Sequence, residues 1–419
     1  MREMKGSKND WIESFPQQWE EKPFRFLFSE NTTKNRLGHE KNALKFTYGQ
    51  IIPKTDFDAD TDDYVADTIL AYTVVEPGTI MINCLNLNYD FVSQRIGLVK
   101  DKGIITSAYL AIVPDKNIVC DRFANYQLKA FDNMKVFHNM GTGIRKTLGF
   151  DELGKKYFLL PRMEEQKRIA DFLDAKCAEI DALTADIEKQ IEVLEAYKRS
   201  VITEAVTKGL NPDAEMKESG VQWIGRVPST WNCIRGKYIL KLLSKPVRID
   251  DGVITCFRDG EVTLRSNRRE EGFTMADKEI GYQGIDIGDL VVHGMDGFAG
   301  AIGISDSRGK ASPVLNVLDS EQNKRYLMYY LRSMAYSEVF TALASGIRVR
   351  SCDLRWNKLA ELLYPVPSLA EQNMIVDYID GKLKATNGLI ADKKNHLETL
   401  AEYKKSLIYE YVTGKKEVE

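Results

Sequence analysis

The chain has 419 residues, 43% hydrophobic and 28% charged, with a formal net charge of −3. That is the balance of an ordinary globular protein of two or three domains, and it excludes collagenous, disordered and membrane-spanning classes. A polar N-terminus without an apolar run speaks against a secretory leader, so the expected location is the cytoplasm.

Six single cysteines (Cys84, Cys120, Cys177, Cys233, Cys256, Cys352) and four scattered histidines supply neither a C-x-x-C zinc arm nor a disulfide framework. The net charge leaves a nucleic-acid partner open. Residues 162–209 hold eight Lys and Arg against eleven Asp and Glu, so this one segment carries the whole acidic excess and the rest can still present basic faces.

In chain order, residues 1–19 form a lead-in that ends in W-I-x-x-x-P-x-x-W (Trp11, Ile12, Pro16, Trp19). These side chains are expected to pack onto the next domain and to do no chemistry. Residues 20–160 mix short β-rich runs (72–75, 79–83, 104–113) with glycine, proline and asparagine, then a short helix over 125–137 and a Gly-Ile-Arg triplet at 143–145.

Residues 161–209 read as one long helix. Leu173, Ile180, Ile187, Leu194 and Val201 fall every seventh position, with Ile169, Leu183 and Tyr197 in the intermediate seam. Some forty-five helical residues make a rod of about 65 Å, too long to hide in a compact domain, so it needs a partner alongside. Gly209, Asn211 and Pro212 stop it.

Residues 210–366 repeat the plan. Trp223, Ile224, Pro228 and Trp231 restate the lead-in; 288–292 answers 78–82, 303–305 answers 97–99, and 312–317 answers 107–112. A short helix over 324–341 and a second Gly-Ile-Arg at 346–348 follow. Residues 367–419 are the second long helix, opened by an S-x-x-E capping box (Ser368, Glu371) after Pro367. Its stripe of Leu389, Ile390, Leu397, Leu400, Tyr403 and Leu407 is less clean, since Thr386 and Lys393 stand where the first helix has isoleucines. Gly381 and Gly388 each cost about 1 kcal/mol against alanine.

Kinship makes the second helix: Glu165 and Gln166 recur as Glu371 and Gln372, Asp171 and Asp174 as Asp377 and Asp380, and Tyr197, Lys198 and Ser200 as Tyr403, Lys404 and Ser406. This is a duplication. The expected fold class is α+β: two tandem mixed α/β domains, each followed by a long helix, the two helices pairing as a coiled coil within an internal repeat. On that reading Leu173, Ile180, Ile187, Leu194, Val201, Leu389, Leu397, Leu400 and Leu407 form the apolar seam between the helices.

The framework repeats while the polar runs differ: 31–45 and 86–95 in the first half, 258–271 and 293–298 in the second. Arginine, lysine and the amides both neutralise phosphate and read base edges. The candidate DNA contacts are therefore Lys34, Arg36, Arg95, Arg145 and Lys146, then Arg258, Arg265, Arg268, Arg269, Arg348 and Arg350. Asp259 and Glu261 are placed to orient an arginine or accept from cytosine. No catalytic or metal-ligating residue is assigned, because neither a phosphate loop, an H-E-x-x-H pair, an N-P-P-Y or D-P-P-Y stretch nor a clustered carboxylate set is present. The glycines at 141–143 and 297–303 are not followed by a helix and acidic residue that would complete a dinucleotide site.

The doubled W-I-x-x-x-P-x-x-W string, with a P-x-x-x-E-Q helix start after each variable domain, resembles the specificity subunit of type I restriction-modification systems over nearly the whole chain. Arg162 stands where the second copy has Ser368, a minor departure. The resemblance implies a non-catalytic adaptor that reads a bipartite, asymmetric site on double-stranded DNA, one half per target recognition domain. The two long helices, packed antiparallel so that the domains are related by a pseudo-twofold, would serve as the helical spacer that fixes the gap and as the subunit interface. It implies as partners two modification subunits, which bind S-adenosylmethionine and methylate adenine at N6, and restriction subunits that use ATP and Mg²⁺. No cofactor is expected on this chain and no membrane partner. Two other readings stay open: a structural coiled-coil scaffold without DNA contact, and a self-contained methyltransferase or nuclease whose active site has no recognisable motif.

Overall fold

The computed structural model describes residues 2–55, 68–89, 94–141, 146–268, 279–343 and 354–418. The chain divides into two compact units, Met1–Ile187 with Asn395–Glu419, and Glu188–Lys394. Its main helices are α1 (Asp121–Asn133), α2 (Met163–Lys208), α3 (Lys324–Tyr336) and α4 (Leu369–Val412). The unit division therefore falls inside both long helices, and each unit owns a stretch of each.

Each unit is built on a four-stranded antiparallel sheet. In the first, β1 (Phe28–Glu30), β2 (Ile80–Ile82), β3 (Ile96–Leu98) and β4 (Leu110–Pro114) lie in the order β1-β4-β2-β3. In the second, β5 (Lys241–Leu242), β6 (Leu290–His293), β7 (Ile302–Ile304) and β8 (Leu315–Asp319) lie in the order β5-β8-β6-β7. The two orders are the same, as the repeated runs in the sequence led us to expect.

Both faces of each sheet are covered, which is why the central strands read as unbroken apolar runs rather than alternating ones. From β2, Ile80 and Ile82 turn toward a core shared with α1, whereas Met81 turns the other way, onto Leu44, Ile51, Val75 and Ile105. In the second unit Leu290 and Val292 join the core of α3, while Val291 packs with Ile254, Val262 and Ile285 on the opposite face. The helical face carries the repeated framework. On the opposite face lies a hairpin, Leu44–Thr47 with Gln50–Pro53 in the first unit and Ile254–Cys256 with Val262–Leu264 in the second.

Within each unit the long helices run antiparallel. In the first, Phe172 meets Tyr411 at 4.4 Å between rings and Lys404 pairs with Asp181 at 2.6 Å, so partners descend along α4 as they ascend along α2. In the second, Lys393 donates to Gln190, and Ile202 and Val206 share a core with Ile375 and Ile379. Leu173, Ile180, Ile187, Val201 and Leu407 are buried, and Leu194, Leu397 and Leu400 half-buried.

Four seam assignments are corrected. Leu183, Tyr197, Leu389 and Tyr403 are exposed. A helix turns about 100° per residue, so Leu389 and Ile390 cannot both face the partner; Ile390 does, at 5% exposure against 53% for Leu389. Thr386 is buried instead of an isoleucine, its hydroxyl donating back to the Lys382 carbonyl at 2.8 Å.

The helix ends dock on the lead-ins. Gly209 and Gly414 both take left-handed φ (75° and 71°), closing α2 and α4. A side chain at Gly414 would run into Pro16 and Trp19, and one at Gly209 would lie 3.2 Å from Trp231. The capping box forms by half: Ser368 Oγ accepts from the Glu371 N–H at 3.3 Å, but the Glu371 carboxylate accepts from Trp231 Nε1 at 3.0 Å and not from the cap. Among the described residues no helix is long and apolar enough to cross a membrane.

Candidate nucleic-acid interface

Two repeated clamps hold the short helix of each unit to a long one. Gln166 is buried, its Oε1 accepting from the Cys120 N–H at the start of α1 (2.8 Å) and its Nε2 donating to the carbonyls of Ile118 and Pro161 (2.9 Å each). Gln372 repeats this, accepting from the Asn323 N–H at the start of α3 (2.9 Å) and donating to the Pro367 carbonyl (3.0 Å). About two turns further on, Asp174 accepts from Arg122 and Tyr126, each at 2.7 Å, and Asp380 from Arg325 at 2.7 Å and Tyr329 at 2.5 Å. Burial first, and then the carboxylate, push the Tyr126 and Tyr329 hydroxyls up, so both remain donors. These carboxylates are thereby committed to architecture.

What the clamps support is the sheet face that differs. In the second unit the hairpin loop and the 3-10 turn that follows it (Arg265–Asn267) carry three of the sequence-assigned arginines. Arg268 makes a bidentate pair with Asp259 (2.5 and 3.1 Å), reaches Glu261 at 3.2 Å, and lies over the Phe257 ring at 4.2 Å from its centroid. Asp259 and Glu261 thus orient an arginine, one of the two roles expected of them. Burial raises the Asp259 carboxyl, but hydrogen bonds from Arg268 and the Glu261 N–H outweigh it and hold the group below the usual carboxylate range. Arg258 pairs with Asp296 at 2.9 Å, and Arg265 Nε donates to Thr255 at 3.3 Å. Arg332, which the sequence reading missed, reaches up from α3 to donate to the Asp259 carbonyl at 2.7 Å and so props the hairpin tip. No sequence signal marks it, since it lies on a helix face with an ordinary apolar pattern.

His293 ends β6 beneath this loop. Its Nδ1 accepts from the Met295 and Asp296 N–H groups (3.2 and 2.9 Å). Burial lowers its pKa, more than Asp296 raises it.

In the first unit Arg36 is exposed and has no hydrogen-bond partner among the described residues. Lys34 donates to Ser107 Oγ at 2.6 Å, and Lys146 is half-buried beside Asn88, which accepts its N–H at 3.2 Å. Arg95 is a correction. It is fully buried, its guanidinium donating to the carbonyls of Asn83 (2.9 Å) and Leu85 (2.8 Å) while its N–H donates to Asp132 (2.7 Å). The side chain thus fastens the preceding loop while the backbone N–H ties the start of β3 to α1, and a guanidinium so committed does not reach a ligand. Arg145, Arg269, Arg348 and Arg350 lie outside the described residues, as do both Gly-Ile-Arg triplets.

Among the described residues no group of three or more His, Cys, Asp or Glu side chains could hold a metal ion. Two copies of one α+β domain, each offering a different polar hairpin on a shared helical framework, define a duplicated recognition protein. Residues 83–193 match the family model described as the type I restriction modification DNA specificity domain. The type I restriction enzyme MjaVIII specificity subunit of Methanocaldococcus jannaschii is 26% identical over 335 residues, 75% of this chain and 74% of its own. The putative type I restriction enzyme MjaX specificity subunit of the same organism is 23% identical over 97% of this chain and 96% of its own. In fold, the chain is similar to one from a structure on complex assembly and conformational transition of the type I R-M system (TM-score 0.70, 13% identity, 96% and 99% of the two chains). It is also similar to the HsdS subunit of Thermoanaerobacter tengcongensis (TM-score 0.52, 14% identity, 96% and 98%). Residues 83–193 thus match a type I restriction modification DNA specificity domain, and over most of its length the chain is similar to specificity subunits of such systems.

Proposed function

We propose that this chain is the DNA-reading adaptor of a type I restriction-modification complex. Each unit reads one half of a bipartite, asymmetric site with the hairpin face of its sheet, and α2 with α4 sets the gap. Two modification subunits that bind S-adenosylmethionine and methylate adenine, and restriction subunits that use ATP and Mg²⁺, assemble on it; the chain itself performs no catalysis. The observation that carries this reading is one sheet order used twice beneath hairpins of different chemistry, Tyr48 with Gly49 at one tip and Asp259 with Gly260 at the other.

The cations on the hairpin face predict a salt-sensitive complex. Fluorescence anisotropy on a labelled duplex, with the chain and its methylating partner, should show affinity falling about a thousandfold between 50 and 200 mM salt if some six phosphates are contacted. A pure scaffold would show no such slope. Turnover by the isolated chain with DNA and Mg²⁺ or S-adenosylmethionine would favour a self-contained enzyme instead.

A further inference from the structure

One solvent-exposed feature persists through the duplication although folding does not require it. After the lead-in tryptophan and a short strand, each unit makes the same three-residue 3-10 turn, Phe24–Phe26 in the first and Gly236–Tyr238 in the second. The last residue is aromatic both times and stands in solvent, Phe26 at 63% exposure and Tyr238 at 73%. The residue before it is a cation both times and lies over that ring, Arg25 at 5.1 Å and Lys237 at 5.5 Å from the centroid.

The turns are rigidly mounted. In the first, the Phe24 N–H donates to the Lys156 carbonyl at 2.9 Å and the Arg25 N–H to the Gly154 carbonyl at 3.2 Å. In the second, the Gly236 N–H donates to the Leu362 carbonyl at 2.9 Å, and a side chain at Gly236 would collide with the Leu359 carbonyl. Rings held in water contribute little to a core. Yet this cation and ring persist while the hairpin tips have diverged. A partner that meets both units in the same way accounts for that.

The chemistry selects a protein over DNA. Phe24 belongs to the helical-face core of the first unit, and Ile239 packs on that of the second, so both turns grow from the framework side and not from the hairpin face. A phenyl ring offers phosphate nothing, whereas aromatic and arginine side chains dominate the centres of protein interfaces. The charge is one-sided as well. Arg235 and Lys237 share the single carboxylate of Glu361 (2.5 and 2.9 Å), and Arg25 has no carboxylate partner among the described residues. The matching surface is an apolar pocket with an acidic rim.

We propose that Phe26 and Tyr238 are equivalent docking anchors for two copies of one protein, the methylating subunit, each copy taking one ring and its stacked cation. This rests on the adaptor reading and gives it a residue-level contact in each half. The test is native mass spectrometry and titration of the full chain co-purified with the methylating subunit, comparing Phe26→Ala, Tyr238→Ala, the double variant, and the ring-conserving Phe26→Tyr and Tyr238→Phe. The wild type and ring-conserving variants should hold two copies. Each single alanine variant should hold one firmly and the other at least about tenfold more weakly, the double variant neither, with melting temperatures unchanged. Two copies retained by the double variant overturn the proposal. So does a loss of DNA affinity with both copies still bound, which would move the patch to the duplex. A wild-type chain that binds no methylating subunit at all would instead sink the adaptor reading, and this inference with it.

Discussion

Arg268 and Arg95 show how far a single side chain can be understood from its type alone. Both are arginines in polar runs, yet Arg268 is braced at the surface by Asp259, Glu261 and Phe257, whereas Arg95 is buried among carbonyls. Charge type suggests a surface and says nothing about three-dimensional surroundings, so the sequence could not separate them. Replacing Arg268 by alanine should weaken discrimination in the half-site read by the second unit by about 1–3 kcal/mol and leave the other half untouched; methylation of sites mutated one half at a time checks this. Replacing Arg95 by methionine should leave sequence preference intact but cost about 3 kcal/mol of stability, because the buried carbonyls of Asn83 and Leu85 lose their charged donor. An unaltered denaturation midpoint would put Arg95 back on the surface. His293 adds a pH dependence. Its folded pKa is depressed, so protons bind the unfolded chain first, and the stability of the second unit should decline as pH falls below the ordinary histidine value of about 6.5. Denaturant midpoints at pH 7.5 and 5.5 should differ in the wild type and differ less in His293→Asn, whose side chain can still accept from the turn.

At the level of elements, heptad spacing revealed α2 because leucine and isoleucine at every seventh position have few other uses. Its termination was legible too, since Gly209 takes the left-handed conformation that the break requires. α4 was found only by kinship, and its seam was placed one residue off at Leu389, because Leu389 and Ile390 are chemically alike and only packing distinguishes them. The short strands were the least visible, as three-residue segments such as Ile80–Ile82 carry too few positions to show a period. The two glycines within α4 yield a prediction. A methyl group at Gly381 or Gly388 meets nothing within 4 Å, so each change to alanine should stabilise the chain by about 1 kcal/mol, read as additive rises in thermal midpoint. Destabilisation would mean that those positions are not open helix surface.

For the molecule as a whole, duplication made both the fold and its purpose readable. Residues that recur in both copies, Gln166 with Gln372 and Asp174 with Asp380, perform the same structural task twice, and residues that do not recur mark the hairpin face. Sequence comparison within one chain thus separated the shared framework from the divergent hairpin face. It could not say which bases are read, because the pose of a hairpin on DNA is a property of the complex and not of side-chain identity. The central claim is that two versions of one reader act on one duplex. Its most direct test is to express the chain with its methylating subunit and map modified adenines across a genome. Our account predicts a motif of two unlike halves separated by a fixed, unspecified gap. A contiguous palindrome, or methylation without a motif, would contradict it.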